Sequence, residues 1–308
     1  MDRNQEQNCR NWIDLPHDLT ASILSRLGVI EILETAQKVC MTWRRICKDP
    51  MMWRTIDMCG VWVWSNSKSW KKNARKMAAM CRHAVDLGRG NVVDISLQNF
   101  GTDLLLVDIT NSCKGIRRLS LVLPNITHDG LIGVASKLPL LEDLEISYSA
   151  YTTAGLEAIG SCCPLLKSLK LNKRHDIRYN WDGLLLAGLR HHYQVFGRNS
   201  SGGVIHDDGD ALAIAGTMHG LQQLQIFGNR VTNRGLQAIL DGCPCLESLD
   251  LRRCFNLKVE GDLKRRCFQG IKQLRLPDDS TDDYELVATD KIVYQLYRSF
   301  ESTLNLIY

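Results

Sequence analysis

Twelve cysteines and eight histidines are the residues of this chain best suited to metal, redox or nucleophilic chemistry. Their spacing argues against all three. Cys162-Cys163 and Cys243-Pro244-Cys245 both lack the two-residue gap of a structural zinc half-site, and no second pair lies suitably near. His191-His192 and the run His206-Asp207-Asp208-Gly209-Asp210 gather metal-ligand types. Both fall in or beside an irregular stretch, and Asp210 is accounted for as a carboxylate at a helix start. Cys40 has the chemistry of a thioester carrier, but it stands on the apolar stripe of a helix and is expected to pack inward. The sequence has no Gly-rich phosphate loop, G-x-S-x-G elbow or H-E-x-x-H pair. The residues therefore read as a non-catalytic binder with no metal and no cofactor.

Composition bounds the rest. A length of 308 residues suits a small domain plus a larger one, or an elongated repeat array. Hydrophobic residues at 44% and charged residues at 23% fit a packed soluble core. A net charge of +4 is too small to argue for a nucleic-acid or membrane partner. The stretch Lys68 to Arg89 carries seven basic residues and one acidic residue beside Trp70. RNA or acidic lipid would suit it, yet a helix with one apolar face must show a solvated face on the other side. Met1 to Arg10 is polar, without the apolar region of a signal peptide. No segment approaches the ~20 apolar residues of a membrane span. The cysteines are then expected to stay reduced, in cytoplasm and/or nucleus, and the sequons at Asn125 and Asn199 are chance matches.

A periodic ribbon sets the positions of everything else. The pattern L-x-x-L-x-L, with Val and Ile allowed, begins at Val92, Ile116, Leu141, Leu166, Leu221, Leu246 and Ile271. The steps are 24, 25, 25, 55, 25 and 25 residues, so one gap is a repeat plus 30 extra residues. Thr127, Thr152 and Thr232 each stand three residues before a Gly-Leu pair, where a threonine can cap a helix start. Val134, Ile159 and Ile239 follow each Leu by three, on the same helical face. Each unit reads as strand, loop, capped helix and return turn, and stacked units share one core. Three residues before each later unit stand Cys113, Leu138, Cys163, Met218, Cys243 and Phe268, all apolar, and of these Cys113, Cys163 and Cys243 read as core plugs. Asn229 and Cys254 fall where such a turn favours Asn or Cys to satisfy its backbone groups.

The amino-terminal stretch has a different pattern. Leu19, Ile23, Leu24 and Leu27 mark one helix face, and Leu33, Ala36, Val39, Cys40 and Trp43 a second. Pro16 suits a first helical turn, and Pro50 separates a third short element. Leu15-Pro16, Ile23-Leu24-x-x-Leu27, Val39-Cys40-x-x-Trp43-Arg44 and Trp53-Arg54 resemble the F-box, with Met52 in place of the usual Leu. Combined with the repeats, the runs Met80 to Leu87 and Gln237 to Pro244 look like the plant F-box/leucine-rich-repeat proteins that interact with Skp-type adaptors. The resemblance covers about 11–290.

The expected architecture is α + α/β: a small all-α F-box module followed by an α/β leucine-rich-repeat solenoid, a horseshoe of about seven repeats. The layout is 1–10 as a disordered terminus, 11–57 as the F-box and 58–91 as a linker and capping helix. The repeats follow over 92–277 with an insertion at 172–210, and 278–308 forms an acidic, partly disordered tail. The resemblance implies docking to a Skp-type adaptor and through it to a cullin and a RING protein, with an unknown protein substrate and neither nucleic acid nor membrane as partner. The adaptor-facing or interface-supporting set is expected to be Leu15, Pro16, Leu19, Leu24, Leu27, Val39 and Trp43. Strand alternation points Arg118, Asp143, Glu145, Lys170, Gln225, Phe227, Asp250 and Arg252 out onto the concave face as the substrate-binding set. Phe227 is the one aromatic there and the candidate anchor. A repeat scaffold that binds its partner without a ubiquitin-ligase role shares every one of these features.

Overall fold

The computed structural model describes residues 15–59, 70–149, 152–173 and 208–285. The chain enters with α1 (His17–Leu24), which Pro16 precedes. Helical turns α2 (Val29–Glu31), a π turn (Ile32–Ala36) and α3 (Gln37–Val39) run on without a gap. Cys40 then adopts an extended conformation, and α4 (Met41–Ile46) starts afresh. The single second helix expected from the apolar spacing is thus two helical stretches. The break is stabilised locally, because the Cys40 thiol accepts the Trp43 amide at 3.4 Å and so caps α4. Asp49 caps the 3₁₀ turn Pro50–Trp53 through the Met51 amide at 2.9 Å. Trp53 is buried, and its indole donates to the Cys47 carbonyl at 2.9 Å.

A strand that the repeat pattern did not reveal follows at once: β1 (Thr55–Met58). It pairs in parallel with β2 (Asp94–Gln98), placing Ile56 beside Ile95 and Met58 beside Leu97. Between them runs α5 (Trp70–Gly88), which buries Met77, Cys81, Ala84 and Val85. Its last turn is pressed tight, since a Cβ on Gly88 would stand 2.6 Å from Val92 Cγ2. An ion pair from Lys76 to Glu34 joins α5 to the helical module. Module, α5 and repeats share one apolar core.

The repeats alternate as α6 (Asp103–Ser112), β3 (Arg118–Val122), α7 (His128–Ala135), β4 (Asp143–Ser147), α8 (Thr153–Cys162), β5 (Ser168–Lys170), α9 (Gly209–Thr217), β6 (Gln223–Gln225), α10 (Asn233–Gly242), β7 (Ser248–Asp250), α11 (Gly261–Gly270) and β8 (Gln273–Arg275). The eight strands form one parallel sheet in chain order. Register brings the middle leucines into a row: Ile95, Leu119, Leu144, Leu169, Leu224, Leu249 and Leu274. Such a row is what an isolated repeat lacks, because each buried leucine contributes roughly 1.5–3 kcal/mol only when a neighbour covers it. β5 and β6 pair Leu169 with Leu224 across the long gap, so the insertion leaves and rejoins the array without disturbing register. Most of that insertion, 174–207, lies outside the described residues.

The Thr-x-x-Gly signature has a physical origin. Thr127 and Thr232 cap α7 and α10 through the amides of Gly130 at 3.1 Å and Arg234 at 3.2 Å. Asp103 of the preceding repeat accepts from the Thr127 amide at 2.8 Å and hydroxyl at 2.7 Å, and Asp208 does the same for Thr232 at 2.8 and 2.7 Å. The carboxylate lies so close that a Cβ on Gly130 would meet Asp103 Oδ1 at 2.1 Å. Thr152 makes no such cap; His128 stands where the carboxylate would be.

The three cysteine plugs, Cys113, Cys163 and Cys243, are buried, as are Leu138 and Met218 at the same repeat position. Phe268 is 58% exposed, and Cys267 points inward in its place. The shift follows from helix length. α11 runs up to the residue before Ile271, whereas α8 and α10 stop four residues before Leu166 and Leu246. The plug position therefore falls inside the last helical turn rather than at the cap.

Candidate functional site

Two surfaces collect the residues singled out above. On the helical module, Leu19 is 55% exposed and Val39 57%, and Pro16 is also exposed. Leu15, Leu27 and Trp43 are half-buried. Leu24 is fully enclosed, so it supports the face from inside and cannot touch a partner. Met41, 78% exposed at the start of α4, and Ile23 and Met51 are further exposed apolar side chains of the module. Met41 falls off the apolar stripe that the spacing carries through Cys40 to Trp43, and the break at Cys40 that exposes it leaves no mark in that spacing. Cys40 itself is half-buried and engaged as a cap.

The second surface is the open face of the sheet, away from the helices. Arg118 is exposed there, and Asp143, Glu145, Lys170 and Gln225 are half-buried. Arg118 Nε lies 2.8 Å from Asp94 Oδ2 on the neighbouring strand. A polar ladder crosses the sheet. Glu145 accepts from Ser120 and Ser147, each at 2.8 Å; Asn172 donates to Ser147 Oγ at 2.8 Å; Gln225 donates to Asn172 Oδ1 at 3.0 Å. It spans the site of the insertion and ties β3 to β6.

Three expected face residues are corrected by the structure. Phe227, Asp250 and Arg252 are buried, at 6%, 9% and 5% exposure. Two causes combine. Alternation lapses where a strand ends: Gln98, Val122, Ser147 and Asn172, which hold the same position as Phe227 and Arg252, are also buried. The next residue turns the chain with a left-handed backbone at Asn99, Leu123, Tyr148, Gly228 and Arg253, and only Gly228 does so without a Cβ penalty. The second cause is cover from residues 278–285. Tyr284 stacks on Phe227 with centroids 3.8 Å apart and planes 2° from parallel. Arg252 donates to both Asp250 oxygens, to the Ser280 carbonyl at 2.8 Å and to Asp283. Asp250 holds the Arg252 guanidinium charged, against the opposing effect of burial, and Asp283 adds to it. Burial alone would lower Lys170, but its hydrogen bond to Glu285 and the charges of Glu145 and Asp143 outweigh this and raise it. The Arg252 hydrogen bond pulls the Asp283 carboxyl below its ordinary range.

The metal readings gain no support. Burial pushes the thiols of Cys81, Cys163 and Cys254 up to about 12 and those of Cys113 and Cys243 up to about 11, the reverse of a thiolate ligand. Cys254 instead donates to the Ile226 carbonyl at 2.9 Å, one repeat back. Among the described residues no group of three or more His, Cys, Asp or Glu could hold a metal ion. His191, His192, His206 and Asp207 lie outside them. No helix among them is long and apolar enough to cross a membrane.

Exposed apolar side chains on a short helical module, fused to a leucine-ribbed parallel sheet with a polar open face, define an F-box module carried on leucine-rich repeats. Residues 12–59 match the F-box-like family. The chain is 44% identical over 280 residues to F-box/LRR-repeat protein 23 of Arabidopsis thaliana, covering 90% of this chain and 56% of that protein. It is 44% identical over 281 residues to F-box protein SKIP19 of the same plant, covering 91% of this chain and 82% of that one. It thus spans little more than half of the first relative and most of the second. A yeast structure, the Rad7 and Elc1 complex, matches at a TM-score of 0.38 and 11% identity over 70% of this chain and 57% of that one, too slight a likeness to argue from. The chain belongs to the plant F-box/LRR-repeat proteins.

Proposed function

We propose that this protein is the substrate-recognition subunit of an SCF-type ubiquitin ligase. Its F-box docks a Skp-type adaptor, which brings cullin, RING protein and the charged ubiquitin-conjugating enzyme. The open face of the repeats holds the target. The subunit itself performs no chemistry. It raises the local concentration of target lysines around the ubiquitin thioester, turning a rare encounter into a nearly intramolecular one.

The observation that carries this reading is the position of the exposed apolar side chains on the F-box module. Leu19, Val39 and Met41 stand out on a unit whose internal core, Leu24, Ile46 and Trp53, is already complete and joined to the repeats. Apolar side chains that the fold does not need inside suit a permanent partner.

Co-purification tests it. Cullin should accompany the wild-type chain and be lost with Leu19→Asp/Val39→Asp, two exposed positions where substitution leaves the core intact. Equal recovery of cullin from both rejects the reading.

A further inference from the structure

The segment 278–285 reads Asp-Asp-Ser-Thr-Asp-Asp-Tyr-Glu, five carboxylates and one aromatic ring in eight residues. It does not stack as another repeat. It crosses back over the open face and touches one strand after another. Glu285 pairs with Lys170 of β5 at 2.5 Å. Tyr284 stacks on Phe227 beyond β6, and its hydroxyl meets that of Tyr148 beyond β4 at 2.9 Å. Asp283 bridges Arg252 beyond β7 and Arg275 of β8, the latter at 2.9 Å. On the open face beside this strap, sharing Lys170, Arg252 and Arg275 with it, lies a half-open groove of about 180 Å³ whose lining also includes Ser168, Gln225 and Asp250.

Among the described residues the strap is held by ion pairs, hydrogen bonds and one stacked ring. Tyr284 is buried, while Asp278, Asp279, Asp282, Asp283 and Glu285 all remain exposed. The carboxylate ends of these pairs, Asp283 and Glu285, are half exposed, so water and a competing carboxylate can reach them. The ground beneath is distinctive. Lys170, Arg252 and Arg275 oppose a single acid, Asp250, whereas β2 to β4 present Asp94, Asp143 and Glu145 around Arg118. The strap thus neutralises the cationic part of the described face with carboxylates and plugs its aromatic position with a tyrosine.

We propose that the face across β5 to β8 is a docking site for an acidic peptide carrying one aromatic residue flanked by carboxylates, and that residues 278–285 occupy it as an internal stand-in. The partner's carboxylates replace Asp283 and Glu285 on Arg252, Arg275 and Lys170, and its ring replaces Tyr284 on Phe227. The strap is tethered, so it competes at high effective concentration, and a partner sees an affinity reduced by the fraction of open sites. This inference rests on reading the open face as the target surface, but it names the target's chemistry.

The test uses the full chain and two fluorescein-labelled peptides: one with the sequence of 278–285, and an unrelated acidic hexapeptide with one central tyrosine. Anisotropy titration should show each binding at least 10-fold tighter to Asp283→Asn/Tyr284→Ala than to wild type. Adding Lys170→Glu/Arg275→Glu, both accessible side chains, should remove at least 10-fold of that affinity. A hexapeptide with lysines for its acids should not bind. Equal binding to wild type and strap variant, or indifference to the charge reversal, overturns the proposal, with circular dichroism confirming that each variant is folded. Should the strap variant fail to fold, hydrogen exchange on the wild type decides: 278–285 must exchange faster as the hexapeptide saturates, and unchanged exchange overturns the proposal. Loss of peptide binding with cullin recovery intact rejects this inference alone; loss of cullin recovery with peptide binding intact rejects the ubiquitin-ligase reading alone.

Discussion

The Asp103 carboxylate takes two hydrogen bonds from Thr127, the residue that caps the helix of the next repeat, at 2.8 and 2.7 Å. One acid thus fixes both the angle between two repeats and the start of α7. Asp103→Ala should cost about 1–2 kcal/mol in urea unfolding, the value of a lost cap with its amide left unpaired. Gly130→Ala should cost more, because the added methyl meets the same carboxylate at 2.1 Å. The double substitution should then cost less than the sum of the singles, a coupling that two independent sites would not show.

The helical module separates inside from outside. Leu24→Ala should destabilise by about 2–5 kcal/mol, as deletion of an enclosed leucine does. Val39→Asp and Met41→Asp should move stability by less than about 0.5 kcal/mol, as exposed sites do, yet abolish capture of a Skp-type adaptor. Thermal melts beside adaptor pull-downs check the contrast.

Much of this architecture was legible in the sequence, and the parts that were not share a cause. The L-x-x-L-x-L ribbon located β2 to β8 because every inward leucine recurs at a fixed step. β1 escaped because its two inward residues, Ile56 and Met58, carry neither leucine nor the outer flank of the pattern. The break at Cys40 escaped because apolar spacing continues across it. The concave-face set failed at Phe227 and Arg252, where strand alternation was extended past the end of a three-residue strand, and at Asp250, which the Arg252 guanidinium covers. The cover over these residues was invisible for a different reason. Tyr284 meets Phe227 and Tyr148 across long stretches of chain, and no local periodicity encodes such a contact.

Arg252 is the hinge of that cover. Its guanidinium is buried and neutralises the Asp250 carboxylate, which is buried with it. Arg252→Met should cost about 3–5 kcal/mol, since it leaves a buried carboxylate unpaired. Arg252→Met/Asp250→Leu should recover a large part of that loss. Urea unfolding of the three chains checks it.

The buried thiols set an alkaline limit. Ordinary cysteine ionises near 9.0, whereas Cys81, Cys163 and Cys254 are held up at about 12. From about pH 9 upward the unfolded chain releases protons that the folded chain retains. Stability should therefore be flat below pH 9 with respect to these groups and fall progressively toward pH 12. At pH 8 a disulfide reagent should leave them unmodified until denaturant is added. Prompt labelling of the native chain would contradict their enclosure.

The central claim is that the F-box module docks an adaptor while the sheet's open face stays available for a target. Hydrogen exchange of the full chain, with and without a purified Skp-type adaptor, tests both halves in one measurement. New protection should be confined to 15–53, strongest around Leu19 and Val39 to Met41, with β2 to β8 unchanged. Adaptor-induced protection centred on β5 to β8, or none in the helical module, would contradict it.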